Sequence, residues 1–392
     1  MRGAERRGGA ADATVPRTET PSDGVVARYW HRVGDRVQCD LCPRECRMAD
    51  GQRGFCFVRM NRGGELILDT YGRSSGFCLD PVEKKPLNHF LPGTAILSFG
   101  TAGCNLGCKY CQNWDISKSR EVDRLVDEAG PEEIADAALA CGARAVAFTY
   151  NDPTIFTEYA VDVAAACHER GIAAVAVSAG YIQGEARRDL FRAVDAANID
   201  LKSFSEEFYR RITGGRLGTV LDTMEFIAHE TACWLEITTL VIPGYNDDDA
   251  ELEALSGWIV EHLGPGVPVH FSAFHPDFRM RDVPRTPPAT LTRARKIARE
   301  AGLRYVYTGN VHDREGDTTR CPGCGVALIE RDWFAIGHYR LDVSDQRCES
   351  GALRGTGVGV CPRCGEEIPG VFDPAGAGEF GPRRVPVWLG SR

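Results

Sequence analysis

The sequence predicts an α/β chain built on parallel strands, with a small cysteine-held module at each end. Three observations lead there. Six apolar runs of strand length, Ala95–Phe99, Ala145–Thr149, Ala173–Ser178, Asn198–Lys202, Leu235–Ile242 and Val269–Ala273, alternate with helical stretches. Eleven of the sixteen cysteines fall into three spaced groups, one before this series, one just after its first strand and one beyond its end. The middle group follows the first strand directly, so it lies at a strand's C-terminal end, where α/β barrels keep their active sites.

Composition narrows the function. With 392 residues the chain can bury a full core in one large domain carrying smaller attachments. It is 43% hydrophobic and 26% charged, as ordinary globular proteins are. A formal charge of −9, without a basic cluster, disfavours nucleic acid as a partner, because affinity there comes from Lys and Arg neutralising phosphates. The longest apolar runs are too short to span a bilayer, so no membrane partner is expected. Residues 1–25 are rich in Arg, Gly, Ala and Thr and read as a flexible tail with no secretion signal. Sixteen cysteines without such a signal point to thiolate ligands in a reducing cytoplasm.

Residues 26–75 read as short strands and turns around Cys39, Cys42, Cys46 and Cys56. Interleaved with Pro43, Gly51 and Gly54, they suit a knuckle with too few apolar residues to fold without a metal. The spacing fits neither a regular zinc ribbon nor a ferredoxin run. Zinc and a second iron–sulfur cluster both stay open, with four closed positions inclining the reading to zinc.

Residues 76–313 carry the strand and helix repeats, with helices expected at Pro131–Cys141, Phe156–Glu169, Ala186–Ala196, Ser205–Ile212, Thr219–His229 and Asp248–Leu263. This period implies parallel strands joined by right-handed crossovers. A seventh apolar run, Leu303–Tyr307, follows a helix at Thr290–Ala301 whose entry is marked by Thr286-Pro-Pro288. In residues 314–372 the Cys321/Cys324 and Cys361/Cys364 knuckles, each trailed by glycine, read as a zinc ribbon-like module around a β-like stretch at Val326–Ile336. The 355–359 glycine run reads as a loop, since no helix follows it. Residues 373–392 read as a mostly extended tail. Cys78, Cys141, Cys167, Cys233 and Cys348 stand outside the groups and are expected to be small packed hydrophobes.

The middle group is the chemical one. Cys104, Cys108 and Cys111 form a C-x3-C-x2-C loop without a fourth cysteine, so a cubane cluster held there would have three thiolate-bound irons and one open iron. An open coordination position is where chemistry happens. The bland alternative is a surface zinc or disulfide loop.

That loop, with Tyr110 just before its last cysteine, resembles the cluster loop of radical S-adenosylmethionine (SAM) enzymes. The run 80–90, Asp-Pro-Val-Glu-Lys-Lys-Pro-Leu-Asn-His-Phe, then Ser98-Phe-Gly100 and Cys111-Gln-Asn-Trp114, is similar to the radical SAM member of the AmmeMemoRadiSam system, related to pyruvate formate-lyase activating enzymes. The 39–56 cysteine pattern also looks like a leader of this branch. The resemblance implies a partial (β/α)6 TIM-like barrel, a [4Fe-4S] cluster on Cys104, Cys108 and Cys111, and SAM as cofactor. It further implies a reductant such as flavodoxin or ferredoxin, and Memo-like and AMMECR-like partners.

The strand ends supply candidate cofactor contacts. Asp152 stands where relatives carry a glutamate for the methionyl ammonium, a natural ion pair, although a turn or helix cap is the competing role. Ser178 keeps a hydroxyl where relatives read Thr-Asn-Gly, while Ala179 loses the amide. Lys202 could pair with the methionyl carboxylate or a substrate anion, oriented by Asp200, instead of forming a bland surface salt bridge. Of His270 and His275, an odd number of residues apart, only one can face inward, and His275 at the strand end is the candidate. The expected activity is reductive SAM cleavage to a 5′-deoxyadenosyl radical that abstracts hydrogen from an unidentified substrate. The alternatives are a glycyl-radical activating enzyme and a non-catalytic metal-binding scaffold.

Overall fold

The computed structural model describes residues 24–118, 127–344, 353 and 356–389. The expected tail up to residue 23, Cys348 and Gly355 lie outside them.

Seven strands run parallel in sequence order: β2 (Ala95–Phe99), β3 (Ala145–Phe148), β4 (Ala173–Ser178), β5 (Ala196–Asp200), β6 (Trp234–Val241), β7 (Val269–Ala273) and β8 (Val306–Gly309). Antiparallel β1 (Phe77–Pro81) borders β2, pairing Phe77 with Phe99 and Pro81 with Ala95. Helices fill the crossovers in turn: α1 (Pro131–Ala140), α2 (Thr157–Glu169), α3 (Gly184–Ala193), α4 (Leu217–Glu230), α5 (Asp249–His262) and α6 (Pro288–Glu300). The run expected at Leu303–Tyr307 is β8, shifted towards its C-terminal end by the turn after α6.

Alternation along the strands sorts two faces. Val146, Phe148, Ala174, Ala176, Ala197 and Ile199 pack in one large core with the helices, among them Ile134, Tyr159 and Leu190. The opposite face carries Ile96, Ala145, Ala147, Ala173, Val175 and Ala196, and against it lie Val82, Leu87, Phe90 and Leu91. Alanines dominate there because the 82–91 segment, not a helix, must fit over them. Glu236, on this face of β6, receives Asn88 N–H at 3.0 Å and His89 N–H at 2.8 Å and so anchors the segment.

Both ends of the chain dock. The N-terminal module is two small sheets, one of Trp30–Val33, Arg36–Cys39 and Arg47–Met48, the other of Val25–Val26, Arg59–Arg62 and Glu65–Leu68. Val25, placed in the tail by its composition, already pairs with Leu68. Arg59 is buried and ion-paired with Glu158 of α2, which ties the module to the helical layer. At the other end, Val385–Val387 pairs with β1, so the expected extended tail is extended but belongs to the sheet. Main-chain pairing at an edge needs no apolar pattern, which is why composition does not reveal it. Of the ungrouped cysteines, Cys167 and Cys233 are buried as expected, Cys78 is partly buried, and Cys141 is exposed.

Candidate active site at the strand ends

One cavity of about 290 Å³ opens over the C-terminal ends of the parallel strands. Its wall takes Cys104, Cys108 and Cys111 from the loop after β2, Thr149 to Asp152 after β3, Val177 and Ala179 around the end of β4, Asp200 and Lys202 from β5, Thr238 and Leu240 from β6, and Ser272 from β7. With Asn310 after β8, the ends of all seven parallel strands therefore contribute to one site.

The cysteine loop is held by its main chain. Gly107 N–H donates to Thr213 O at 2.7 Å and Lys109 N–H to Ile212 O at 3.0 Å. Both acceptors sit in a π-helical turn, Tyr209–Thr213, where the sequence predicts continuous α-helix. Such turns recur at functional sites because the widened turn frees carbonyls for other partners. Asn151 fastens the loop from the other side: its Oδ1 accepts Thr101 N–H at 3.0 Å, and its Nδ2 donates to Gly103 O at 3.1 Å. Gly100 has no room for a side chain, since a Cβ there would meet Thr149 O at 2.3 Å.

The three thiols face cationic and donor groups. Leu106 N–H points at Cys104 Sγ (3.4 Å), and Ser117 Oγ lies 3.0 Å from Cys111 Sγ. Burial, helped by the Asp152 charge, pushes the Cys104 thiol up to about 12, and burial raises Cys108 against the pull of Lys202. Thiols so placed stay protonated unless a metal takes the proton's place. The donor set, three sulfurs without a fourth on one cavity wall, fits a cluster with one open iron.

The remaining wall is polar and incompletely satisfied. Tyr110 Oη, Gln112 Nε2 and Thr238 Oγ1 are buried with no hydrogen-bond partner. Leaving such groups unpaired costs about 1–3 kcal/mol each, so the cavity is shaped for a polar ligand. Lys202 Nζ is 2.9 Å from Asp200 Oδ2. Burial opposes the Lys202 charge, but Asp200, with Tyr110 and Cys108, raises it well above the ordinary lysine range.

Asp152 is more committed than its sequence position suggests. Its Oδ1 accepts Thr154 N–H at 3.0 Å and Ser178 Oγ–H at 2.9 Å, and its Oδ2 accepts Ala179 N–H at 2.8 Å. It caps the short 3₁₀ turn Pro153–Phe156 while still lining the cavity. The cap role weighed for it is thus present, and acceptor capacity remains on the cavity side, because a carboxylate has about four acceptor sites.

Asp152, Asp200 and Lys202 are brought together with the three cysteines; Ser178 and His275 are not on the cavity wall. Ser178 is turned inward to serve Asp152, and Ala179 takes the wall position. His275 lies beyond the end of β7, whose contribution is Ser272. His270 is buried against Glu236 at 2.7 Å, part of the anchor under the 82–91 segment. Sequence reading missed Asn151, Thr238 and the π-helical turn. Asn151 had a signal, its place one residue before Asp152, whereas a lone threonine inside an apolar strand offers none.

The C-terminal knuckles form a second kind of site. Cys321, Cys324, Cys361 and Cys364 have sulfurs all within 4.8 Å of one another, with Cys321–Cys364 at 3.5 Å and Cys324–Cys361 at 3.7 Å. Each knuckle repeats one turn: Gly325 N–H bonds Cys321 O and Gly365 N–H bonds Cys361 O, both at 2.9 Å. Both glycines have positive φ, +72° and +78°.

A parallel sheet with a three-thiol loop over its first strand end defines a class of cluster-bearing α/β protein, and the comparisons give that class its name. The family described as the radical SAM superfamily matches residues 99–255, which span β2 to α5 and include the cysteine loop. The uncharacterized protein MJ0808 of Methanocaldococcus jannaschii is 40% identical over 324 residues, 82% of this chain and 96% of its own length. The benzylsuccinate synthase activating enzyme of Thauera aromatica is 26% identical over 152 residues, 38% of this chain and 46% of its length. The pyruvate formate-lyase 1-activating enzyme of Escherichia coli K12 is 22% identical over 191 residues, 47% of this chain and 75% of its length. This chain is a member of the radical SAM superfamily, in one family with the M. jannaschii protein and with similarity to activating enzymes. Among the described residues, no helix is long and apolar enough to cross a membrane.

Proposed function

We infer that the protein is a radical SAM enzyme of the AmmeMemoRadiSam system, working in an open, partial β/α barrel. The observation that carries the SAM chemistry is the one cavity shared by Cys104, Cys108 and Cys111 with the ends of six further strands. Those cysteines would hold the [4Fe-4S] cluster. When bound and reduced by a flavodoxin- or ferredoxin-like donor, the cluster supplies one electron to cleave a carbon–sulfur bond of SAM, giving a 5′-deoxyadenosyl radical that abstracts hydrogen from the substrate.

The chain's own groups position and shield. Asp152 offers its remaining lone pairs to the methionyl ammonium, and its three donors hold it in place before SAM arrives. Lys202, kept charged by Asp200, faces a carboxylate of SAM or of substrate. Tyr110, Gln112 and Thr238 gain partners when the polar ligand enters. Cys321, Cys324, Cys361 and Cys364 hold a structural zinc, because all four positions close on one point. The AmmeMemoRadiSam placement rests on the sequence words at 80–90, 98–100 and 111–114, and Memo-like and AMMECR-like partners follow from that placement alone. The similarity to two activating enzymes favours a second reading, hydrogen abstraction from the backbone of a glycyl-radical enzyme.

Anaerobically reconstituted protein with SAM and dithionite should release 5′-deoxyadenosine; no product above a protein-free control would overturn the reading. Within it, Asp152→Asn keeps an acceptor for Thr154 and Ser178 but removes the charge, at the cost of the Ala179 bond. SAM should then bind about tenfold or more weakly, roughly 1.4 kcal/mol, by equilibrium dialysis, with iron content unchanged. Binding equal to wild type would remove Asp152 from the ammonium site.

A further inference from the structure

We propose that Cys39, Cys42, Cys46 and Cys56 hold a second iron–sulfur cluster, not zinc, and that it passes electrons to the cluster loop. The four cysteines line one small cavity together with Arg44, Arg59 and Asn105.

The spacing of sulfurs within this one chain separates the two metals. Four thiolates about 2.3 Å from one zinc lie roughly 4 Å apart, and the C-terminal set obeys this. It is the one such set among the described residues; neither the Cys39/42/46/56 group nor the Cys104/108/111 loop brings three sulfurs that close. The N-terminal four, like the radical SAM loop, thus lack the tight set that one ion needs, as suits thiolates that each bind a different metal atom of one cluster.

The surroundings suit an anionic cluster. Phe55 N–H points at Cys46 Sγ at 3.4 Å. The buried Arg59 guanidinium acts on both Cys39 and Cys56, and Arg44 adds a second cation on the cavity wall. Such hydrogen bonds and charges set a cluster's potential.

The route to the other site is short in bonds. Asn105 lines the same cavity as Cys42 and directly follows Cys104 in the chain. Gly103, on the other side of Cys104, approaches the Cys56 carbonyl so closely that an added Cβ would meet its oxygen at 2.2 Å; its φ is +83°. Arg44 also donates to the Asn105 carbonyl and, at 2.8 Å, to Gly214 O. An external low-potential one-electron protein donor reduces the N-terminal cluster, which is reoxidised as it gives the same electron to the radical SAM cluster. With all four of its ligand positions taken by cysteine, this cluster has no site for substrate. The relay role rests on the proposed function; the metal assignment does not.

The full-length Cys104→Ala/Cys108→Ala/Cys111→Ala triple variant leaves the N-terminal module untouched and isolates its metal. After anaerobic reconstitution it should retain about four irons and four sulfides per chain beside one zinc, with a reduced-state EPR signal that SAM leaves unchanged. Two zincs and no iron would overturn the assignment. Independently, Cys46→Ala in the otherwise intact chain should keep a SAM-responsive cluster. Its reduction by a flavodoxin or ferredoxin should slow at least tenfold while reduction by dithionite stays near wild type. Unchanged reduction by the protein donor would overturn the relay. A wild-type cluster blind to SAM would instead indict the proposed function and leave the iron count standing.

Discussion

Cys108→Ala should lower 5′-deoxyadenosine formation from SAM to background, a loss of more than ~1,000-fold, the scale on which a member of an obligatory catalytic unit fails. Cys108 is 8% exposed and lines the cavity together with Lys202. Removing one small buried sulfur should cost the fold only about 1 kcal/mol, so the variant should melt near wild type. Its C-terminal metal should be retained, which separates lost chemistry from lost structure. Activity within a few-fold of wild type would mean that Cys108 is no ligand.

Stripping the C-terminal metal should have the largest structural effect. Structural zinc supplies about 10–16 kcal/mol in small modules, and the apolar support here is thin: Leu328, Ile329, Leu341, Ile368 and Phe372 around Tyr305 and Tyr307. The consequences should reach the sheet. Buried Arg331 donates to Asn88 O at 2.7 Å, His89 Nδ1 meets Pro369 O at 2.7 Å, and Tyr307 Oη bridges His89 and Thr319. All of these hold the 82–91 segment against Glu236. Chelation should therefore release about one metal per chain, open residues 314–372 to limited proteolysis and lower the melting temperature of the remaining sheet. Metal loss without new cleavage would contradict the module's dependence on it.

The parallel strands were readable because each is buried on both faces and spelled as a short apolar run between amphipathic helices. Cys104, Cys108 and Cys111 were readable for a different reason: they sit close together in sequence at a recognisable spacing. Asp152 and Lys202 were found from their places at strand ends, yet the direction of each side chain was not in the sequence. Ser178 is one residue from the cavity wall and faces away from it, since successive residues on a strand alternate. His275 lies past the last paired residue of β7, where alternation no longer predicts direction. The π-helical turn at 209–213 and the place of Asn105 beside the 39–56 cysteines are tertiary devices, set by what packs against them. The docking of Val385–Val387 on β1 is likewise invisible, because it is made by backbone that any sequence carries.

SAM should meet an open iron over Cys104, Cys108 and Cys111. The reduced-state EPR spectrum of the reconstituted wild-type protein, recorded with and without SAM, measures this. SAM should change the g-values of one cluster, and the triple alanine variant should lose that response. A wild-type spectrum identical with and without saturating SAM would contradict the account.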